Sequence, residues 1–290
     1  MIVEEITLAF DCEDSTLIGI VHRPETPSSR GVLSLVAGGP QYRGGCCRQL
    51  VYMARDFASH GIPVMRFDHR GLGDGDGAFL DFEHVEKDLA AAIAAFKRAV
   101  PELREVVLWG GCNAASGIMI NACRYPEVTG MIISNPFAHS EATQAVVVRK
   151  HYMRRLRDPA FWAKVFKLRF NPLPYVKSGA RTVLSRLTPK KDTSQASVNQ
   201  SLPFTERMLA GFKQFRGQVL LIMSGQSLTS EEFDVLVANS PEWQQAYKAA
   251  SITRVDIAIA DQAFSTIEAR NGLIEAARTW LLKPPGSREA

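Results

Sequence analysis

The 290-residue chain predicts an α/β fold: a mostly parallel, eight-stranded sheet with helices on both faces and one inserted helical segment. Three observations lead there. Short apolar, β-branched runs alternate with longer helical patterns through most of the chain. Some of these runs, such as Val219-Leu220-Leu221-Ile222-Met223, show no polar alternation, which suits strands covered on both faces. The stretch 139–217 breaks the rhythm with five prolines and a surplus of positive charge.

In chain order, strands are expected at 3–10, 17–22, 32–37, 63–67, 106–109, 131–134, 219–223 and 252–257. The first two alternate apolar with polar residues and suit an antiparallel edge. Helices are expected at 48–59, 84–100, 114–125, 231–239, 241–250 and 266–282. Thr229 and Glu232 have the spacing of a capping box for the fourth of these. Within 139–217, Asp158-Pro159 reads as an N-cap followed by proline at the first helical position, after which Phe161, Trp162, Val165 and Phe166 share a face. The division is therefore a core of 1–138 and 218–282, a basic helical cap of 139–217, and a frayed tail of 283–290.

Thirty-four Lys and Arg oppose 30 Asp and Glu, so the net charge of +4 excludes a polyanion binder built over its whole surface. Charged residues at 22% and apolar residues at 46% exclude a disordered chain. Roughly three-quarters of the unfolded surface can be buried at this length, so disulfide staples are not needed. Five cysteines, at 12, 46, 47, 112 and 123, cannot all pair and point to a reducing compartment. The first ten residues lack a basic segment of the signal-peptide kind, and no apolar run reaches the roughly 18 residues of a spanning helix. A cytoplasmic protein is expected. Between 149 and 191, thirteen Lys and Arg meet a single acid, Asp158, for a local charge of +12.

The most informative stretch runs from Val106 to Ser116: an apolar strand, the turn Gly110-Gly111-Cys112-Asn113-Ala114, then a helical pattern. This is the strand–turn–helix of a nucleophile elbow, with Cys112 in the nucleophile position. Small flanking residues let strand and helix cross closely, and a helix N-terminus favours a thiolate. Upstream, Leu35 to Gln41 resembles an oxyanion loop. Gly39 and Asn113 are the candidate N–H donors to a developing oxyanion, Pro40 having no N–H, and Gln41 is a possible addition to the site. Arg66 to Asp74 resembles the D-x-R-G-x-G turn of α/β hydrolases.

Taken together, Gly38 to Arg43, Phe67 to Asp74, Leu108 to Ser116, Asn135-Pro136, His151-Tyr152 and Phe161-Trp162 resemble the exosortase-A-system-associated hydrolases over nearly the whole chain. That resemblance implies an α/β-hydrolase fold with cysteine at the elbow, and it says little about substrate.

Two positions depart from the family pattern. The triad acid is expected after the seventh strand, where Ser227 stands; the triad histidine is expected after the last strand, where Gln262 follows Asp261. The six histidines are at 22, 60, 69, 84, 139 and 151, so none follows in the last 139 residues. Glutamine cannot accept a proton near neutral pH, and serine supplies no negative charge. Ordinary triad hydrolysis is excluded on this reading.

Cysteine survives the loss of its base better than serine does, so acylation of Cys112 by an activated ester or thioester is expected, with transfer favoured over hydrolysis. His139, just past a strand end, is the one candidate for a rescuing base, although a surface role suits it better. Cys46 and Cys47 read as two small buried thiols. Asp74 and Asp76 read as shapers of a glycine-rich turn. The alternative function is a non-covalent cyclase, lyase or ligand-binding protein using the oxyanion hole and the polar pocket. Expected partners are a small-molecule acyl substrate and, through Arg149, Lys150, Arg154, Arg155 and Arg157, an acidic acyl carrier protein, a phosphate-bearing acyl donor or an anionic membrane; a solvated cap face is the plainer reading of the same charge. No nucleic-acid motif, metal-ligand spacing or dinucleotide fingerprint is present, so no nucleic acid, metal or cofactor is expected.

Overall fold

The computed structural model describes residues 2–36, 41–139 and 202–283. The first two strands, β1 (Val3–Cys12) and β2 (Ser15–Pro24), form an antiparallel pair, and β2 lies antiparallel to β4 (Val64–Asp68). From there the sheet is parallel: β4 pairs with β3 (Arg30–Ser34), then follow β5 (Glu105–Gly111), β6 (Val128–Ser134), β7 (Gln218–Gln226) and β8 (Ser251–Asp261). The spatial order is β1-β2-β4-β3-β5-β6-β7-β8, eight strands in one sheet. Each expected strand is present, and the expected antiparallel edge is β1 and β2.

The unbroken apolar runs are explained by cover on both faces. Along β5, Val106 and Leu108 point into one core layer while Val107 and Trp109 point into the other. One layer lies beneath α1 (Gln49–Ser59) and α7 (Ile267–Leu282), to which Phe57, Leu273 and Trp280 contribute. The opposite layer holds α2 (Glu86–Ala99), α3 (Asn113–Asn121), α4 (Phe204–Gln214), α5 (Leu228–Asn239) and α6 (Pro241–Ala249). Edge strands differ from the central ones: residues 4, 5, 7, 9 and 11 of β1 are exposed, and so are Arg254 and Asp256 of β8. Arg254 pairs with Asp234 of α5 at 2.7 Å and with Asp256 at 2.8 Å.

The chain divides into two units, Met1–Thr143 with Pro203–Ala290, and Gln144–Leu202. Apart from Leu202, the second unit lies outside the described residues, and with it the expected Asp158-Pro159 cap and the Arg and Lys cluster, as does most of the 283–290 tail. Helix α4 falls inside the span 139–217 yet packs on α3 of the first unit. Gly211 permits that contact, because a Cβ there would sit 2.4 Å from the Met119 carbonyl oxygen. Helix α5 starts at Leu228, three residues earlier than expected. Its N-cap is Ser227, whose hydroxyl accepts from the Ser230 N–H at 3.3 Å, so Thr229 lies inside the helix and is not its cap.

Candidate active site

The elbow forms where β5 hands over to α3. Cys112 holds φ 53° and ψ −122°, a region that costs a non-glycine residue about 1–3 kcal/mol. Three backbone bonds keep it there. Its N–H donates to the Ser134 carbonyl at 2.9 Å, and its own carbonyl accepts from the N–H groups of Ser116 and Phe137, each at 3.3 Å. Gly110 sits at the crossing, where a Cβ would lie 2.8 Å from the carbonyl carbon of Ala114. The small residues of the turn are therefore a steric requirement, as the sequence reading supposed.

The sulfur is half-buried and lines a cavity of about 200 Å³. Burial pushes the Cys112 thiol above the ordinary thiol range, and the negative charge of Glu232 adds to the rise; the backbone of Asn113 and the side chain of Gln262 pull it back. The Asn113 N–H thus favours negative charge on the sulfur. Gly39, the other expected donor, lies outside the described residues. Gln41 does line the cavity.

Gln262 and Ser227 come from the ends of β8 and β7 and meet beside the sulfur. The Ser227 hydroxyl donates to Oε1 of Gln262, in a bond that sets which end of the amide faces Cys112. Nε2 of Gln262 makes no hydrogen bond within ordinary limits, yet the side chain stands close enough to the sulfur to favour its anion. Ser227 therefore contacts Gln262, and Gln262 lines the cavity together with Cys112. Asp261 fixes the turn carrying Gln262: its carboxylate accepts from the Ser265 N–H at 2.9 Å and the Ser265 hydroxyl at 2.5 Å, bonds that lower its pKa.

Sequence reasoning did not find Asn135. It follows β6 with a positive φ of 44°, and its side chain joins β7, α5 and the turn after β8. Oδ1 accepts from the Ser224 N–H at 2.9 Å and the Ser230 hydroxyl at 2.6 Å, while Nδ2 donates to the Gln262 carbonyl at 3.2 Å. The Asn-Pro pair was visible as a motif, but nothing local marks a side chain as a brace between distant strand ends. Gln49 was likewise not expected in the cavity, which it lines together with Cys46, whose approach to Cys112 was the less favoured expectation. Cys46 is half-buried and Cys47 exposed, with their sulfurs 3.8 Å apart, so the expectation of two buried thiols fails at Cys47.

His139 does not reach the sulfur. Nδ1 lies 3.3 Å from Oε1 of Glu232 and the ring stacks on Phe137, with centroids 5.9 Å apart. Among the described residues no imidazole or carboxylate hydrogen-bonds to Cys112. Asp74 pairs with Arg43 at 2.6 Å, and Arg43 also contacts the buried Asp68, so the chain after the expected oxyanion loop is tied to the turn after β4. The described residues hold no set of three or more His, Cys, Asp or Glu placed for a metal ion, and none of their helices is long and apolar enough to cross a membrane.

Residues 28–265 match the family model described as serine aminopeptidase, S33. A search of curated proteins gives no match. Among solved structures, an esterase of Pyrococcus furiosus aligns over 96% of this chain and 93% of its own, with a TM-score of 0.61 and 16% identity. Dienelactone hydrolase from Anabaena variabilis aligns over 97% of each chain, with a TM-score of 0.58 and 12% identity. At those identities the common property is the fold. The chain belongs to the serine aminopeptidase S33 family, and its fold is that of the α/β hydrolases.

Proposed function

We propose that this protein transfers an acyl group from an activated ester or thioester through Cys112, and that transfer outruns hydrolysis. The reading rests on one observation: a sulfur on a strained elbow, facing a cavity, with an amide where the family's imidazole is expected. The motif resemblance to exosortase-A-system-associated hydrolases, which carry cysteine at this position, supports the choice of sulfur as nucleophile.

The steps balance without a protein base. Cys112 loses its thiol proton to water, the thiolate adds to the donor carbonyl, forming a C–S bond, and the oxyanion is met by the Asn113 N–H, with Gly39 as the second donor. Collapse expels the donor thiolate, which takes a proton from water. A second thiol, already partly ionised near neutral pH, then attacks the acyl-enzyme and restores the Cys112 thiolate. An amine acceptor follows the same course and loses its proton to solvent. Water as acceptor needs a general base worth about 10²–10⁴ in rate, and neither Gln262 nor Ser227 is one.

The basic stretch 149–191 supports a donor presented by an acidic carrier protein or bearing phosphate, and the protein is placed in the cytoplasm by the same proposal. Replacing Arg154 and Arg155 by Ala is expected to weaken donor binding at low salt and much less at high salt; equal affinity at all salt concentrations rejects that assignment. The central test is intact mass after incubation with acyl thioesters, followed by a chase with N-acetylcysteamine or buffer. A Cys112 adduct that the thiol clears faster than buffer is the expected result. No adduct anywhere between about pH 6 and pH 9 overturns the reading and leaves non-covalent cyclase, lyase or binding chemistry in its place.

A further inference from the structure

We infer that the acyl group taken by this cavity carries a neutral hydrogen-bond acceptor beyond its reacting carbonyl, and that Gln49 reads it. The inference rests on the acyl-transfer reading for its setting. Gln49 opens α1 and lines the same cavity as Cys112. Its Nε2 is shut off from solvent and has no hydrogen-bond partner, as is true of Nε2 of Gln262. Buried amide donors are seldom left unpaired, because each keeps the cost of lost hydration with nothing in return. A ligand acceptor in the cavity would satisfy such a donor once the terminal amide turns toward it.

Size and charge narrow the class. About 200 Å³ is room for a short acyl group. The lining also includes the apolar side chains of Leu35, Leu50, Trp109 and Phe264. None of the described lining residues is charged. The described lining thus offers no charge to pair with a carboxylate, whereas a ketone or hydroxyl oxygen needs only a neutral donor. The substrate class is a short oxo- or hydroxyacyl thioester, with Gln262 serving the reacting end and Gln49 the substituent.

The experiment compares S-(3-oxobutanoyl)-, S-butanoyl- and S-succinyl-N-acetylcysteamine as acyl donors, scoring the rate of Cys112 adduct formation by intact mass. Each rate is divided by that of free N-acetylcysteine, which removes differences in intrinsic electrophilicity. The wild-type protein should favour the oxo over the plain donor by about tenfold, the value of one charge-free hydrogen bond to a buried donor. Gln49→Leu, with Gln49→Met as the better shape match, should bring that ratio to within about twofold of unity. Equal normalised rates in the wild type, an unchanged ratio in both variants, or a preference for the succinyl donor overturns the inference. A second arm uses Cys112→Ala protein and measures binding of ethyl 3-oxobutanoate and ethyl butanoate by calorimetry. A preference for the oxo ester there, without adducts in the first arm, keeps the inference and sinks acyl transfer. Failure in both arms sinks both.

Discussion

Replacing Gln262 by His and Ser227 by Asp in one chain tests whether the site lacks only a proton acceptor. The structure makes this a conservative change. Ser227 already donates to Gln262, and the Gln262 carbonyl is held by Asn135 at 3.2 Å, so the two new side chains enter a contact that exists. Asp is as good an N-cap as Ser, so α5 keeps its start. The imidazole would donate to the new carboxylate and present its other nitrogen to Cys112 and to an incoming water. A general base is worth about 10²–10⁴, so hydrolysis of a preformed acyl-enzyme should quicken about 100-fold or more. Ser227→Asp alone should act in the opposite sense: a carboxylate facing Oε1 turns the amide over, brings its oxygen to the sulfur, and slows acylation about tenfold through loss of one donor to a charged group. The assay is single-turnover loss of acyl mass from Cys112, with the two single substitutions completing a cycle. An unchanged acyl-enzyme lifetime in a double variant that retains native circular dichroism would refute the claim that Gln262 and Ser227 are what blocks hydrolysis.

Three further outcomes are expected. Because burial raises the Cys112 thiol, the neutral form prevails near pH 7, and its alkylation by iodoacetamide should still be rising with pH at about pH 9; a plateau below about pH 8 contradicts the stated burial. Asn135→Asp keeps both acceptor bonds but sets a carboxylate against the Gln262 carbonyl, so adduct formation should fall about tenfold while the urea midpoint moves little, whereas Asn135→Ala should cost about 2–4 kcal/mol of stability by stranding the buried Ser224 N–H; equal behaviour of the two variants in both assays rejects the bracing role. His22 is held down at about 4, first by burial and then by the positive charge of Arg66, whose Nε donates to the neutral ring at 3.0 Å. The unfolded value is about 6.5, so this contribution is complete above that pH and is lost as the pH falls through about 4; the difference amounts to about 3 kcal/mol. Urea unfolding at pH 7 and pH 4 should show a smaller acid loss in His22→Gln than in the wild type, and equal losses refute it.

The strands and most helices were legible because burial on both faces writes itself into local sequence. Val219 to Met223 reads as a covered strand with no knowledge of its neighbours. The elbow was legible for a similar reason, since the clash of a Cβ at Gly110 is a local demand. Helix α4 was absorbed into the basic segment because its fit depends on Gly211 meeting α3, about 90 residues upstream, a contact with no local period. The start of α5 was misplaced because Ser227 and Thr229 are equally fit to cap on paper, and only the approach of β7 decides between them. Asn135 and Gln49 escaped notice for the same cause. Their meaning lies in hydrogen bonds, made or unmade, to chain far away.

The outermost strands raise a separate matter. A sheet that does not close leaves a row of main-chain donors and acceptors along each rim, open to a neighbouring molecule. The β1 rim exposes Glu4, Glu5 and Asp11, of which Glu5 pairs with Arg55 at 2.8 Å, so Glu4 and Asp11 of two such rims repel each other. At the β8 rim, Arg254 is the sole basic residue between Ser251 and Asp261, and two aspartates already neutralise it. Carboxylates of one copy therefore meet no counter-ion on the far side of the next, and stacking of copies rim to rim into filaments is disfavoured at both ends.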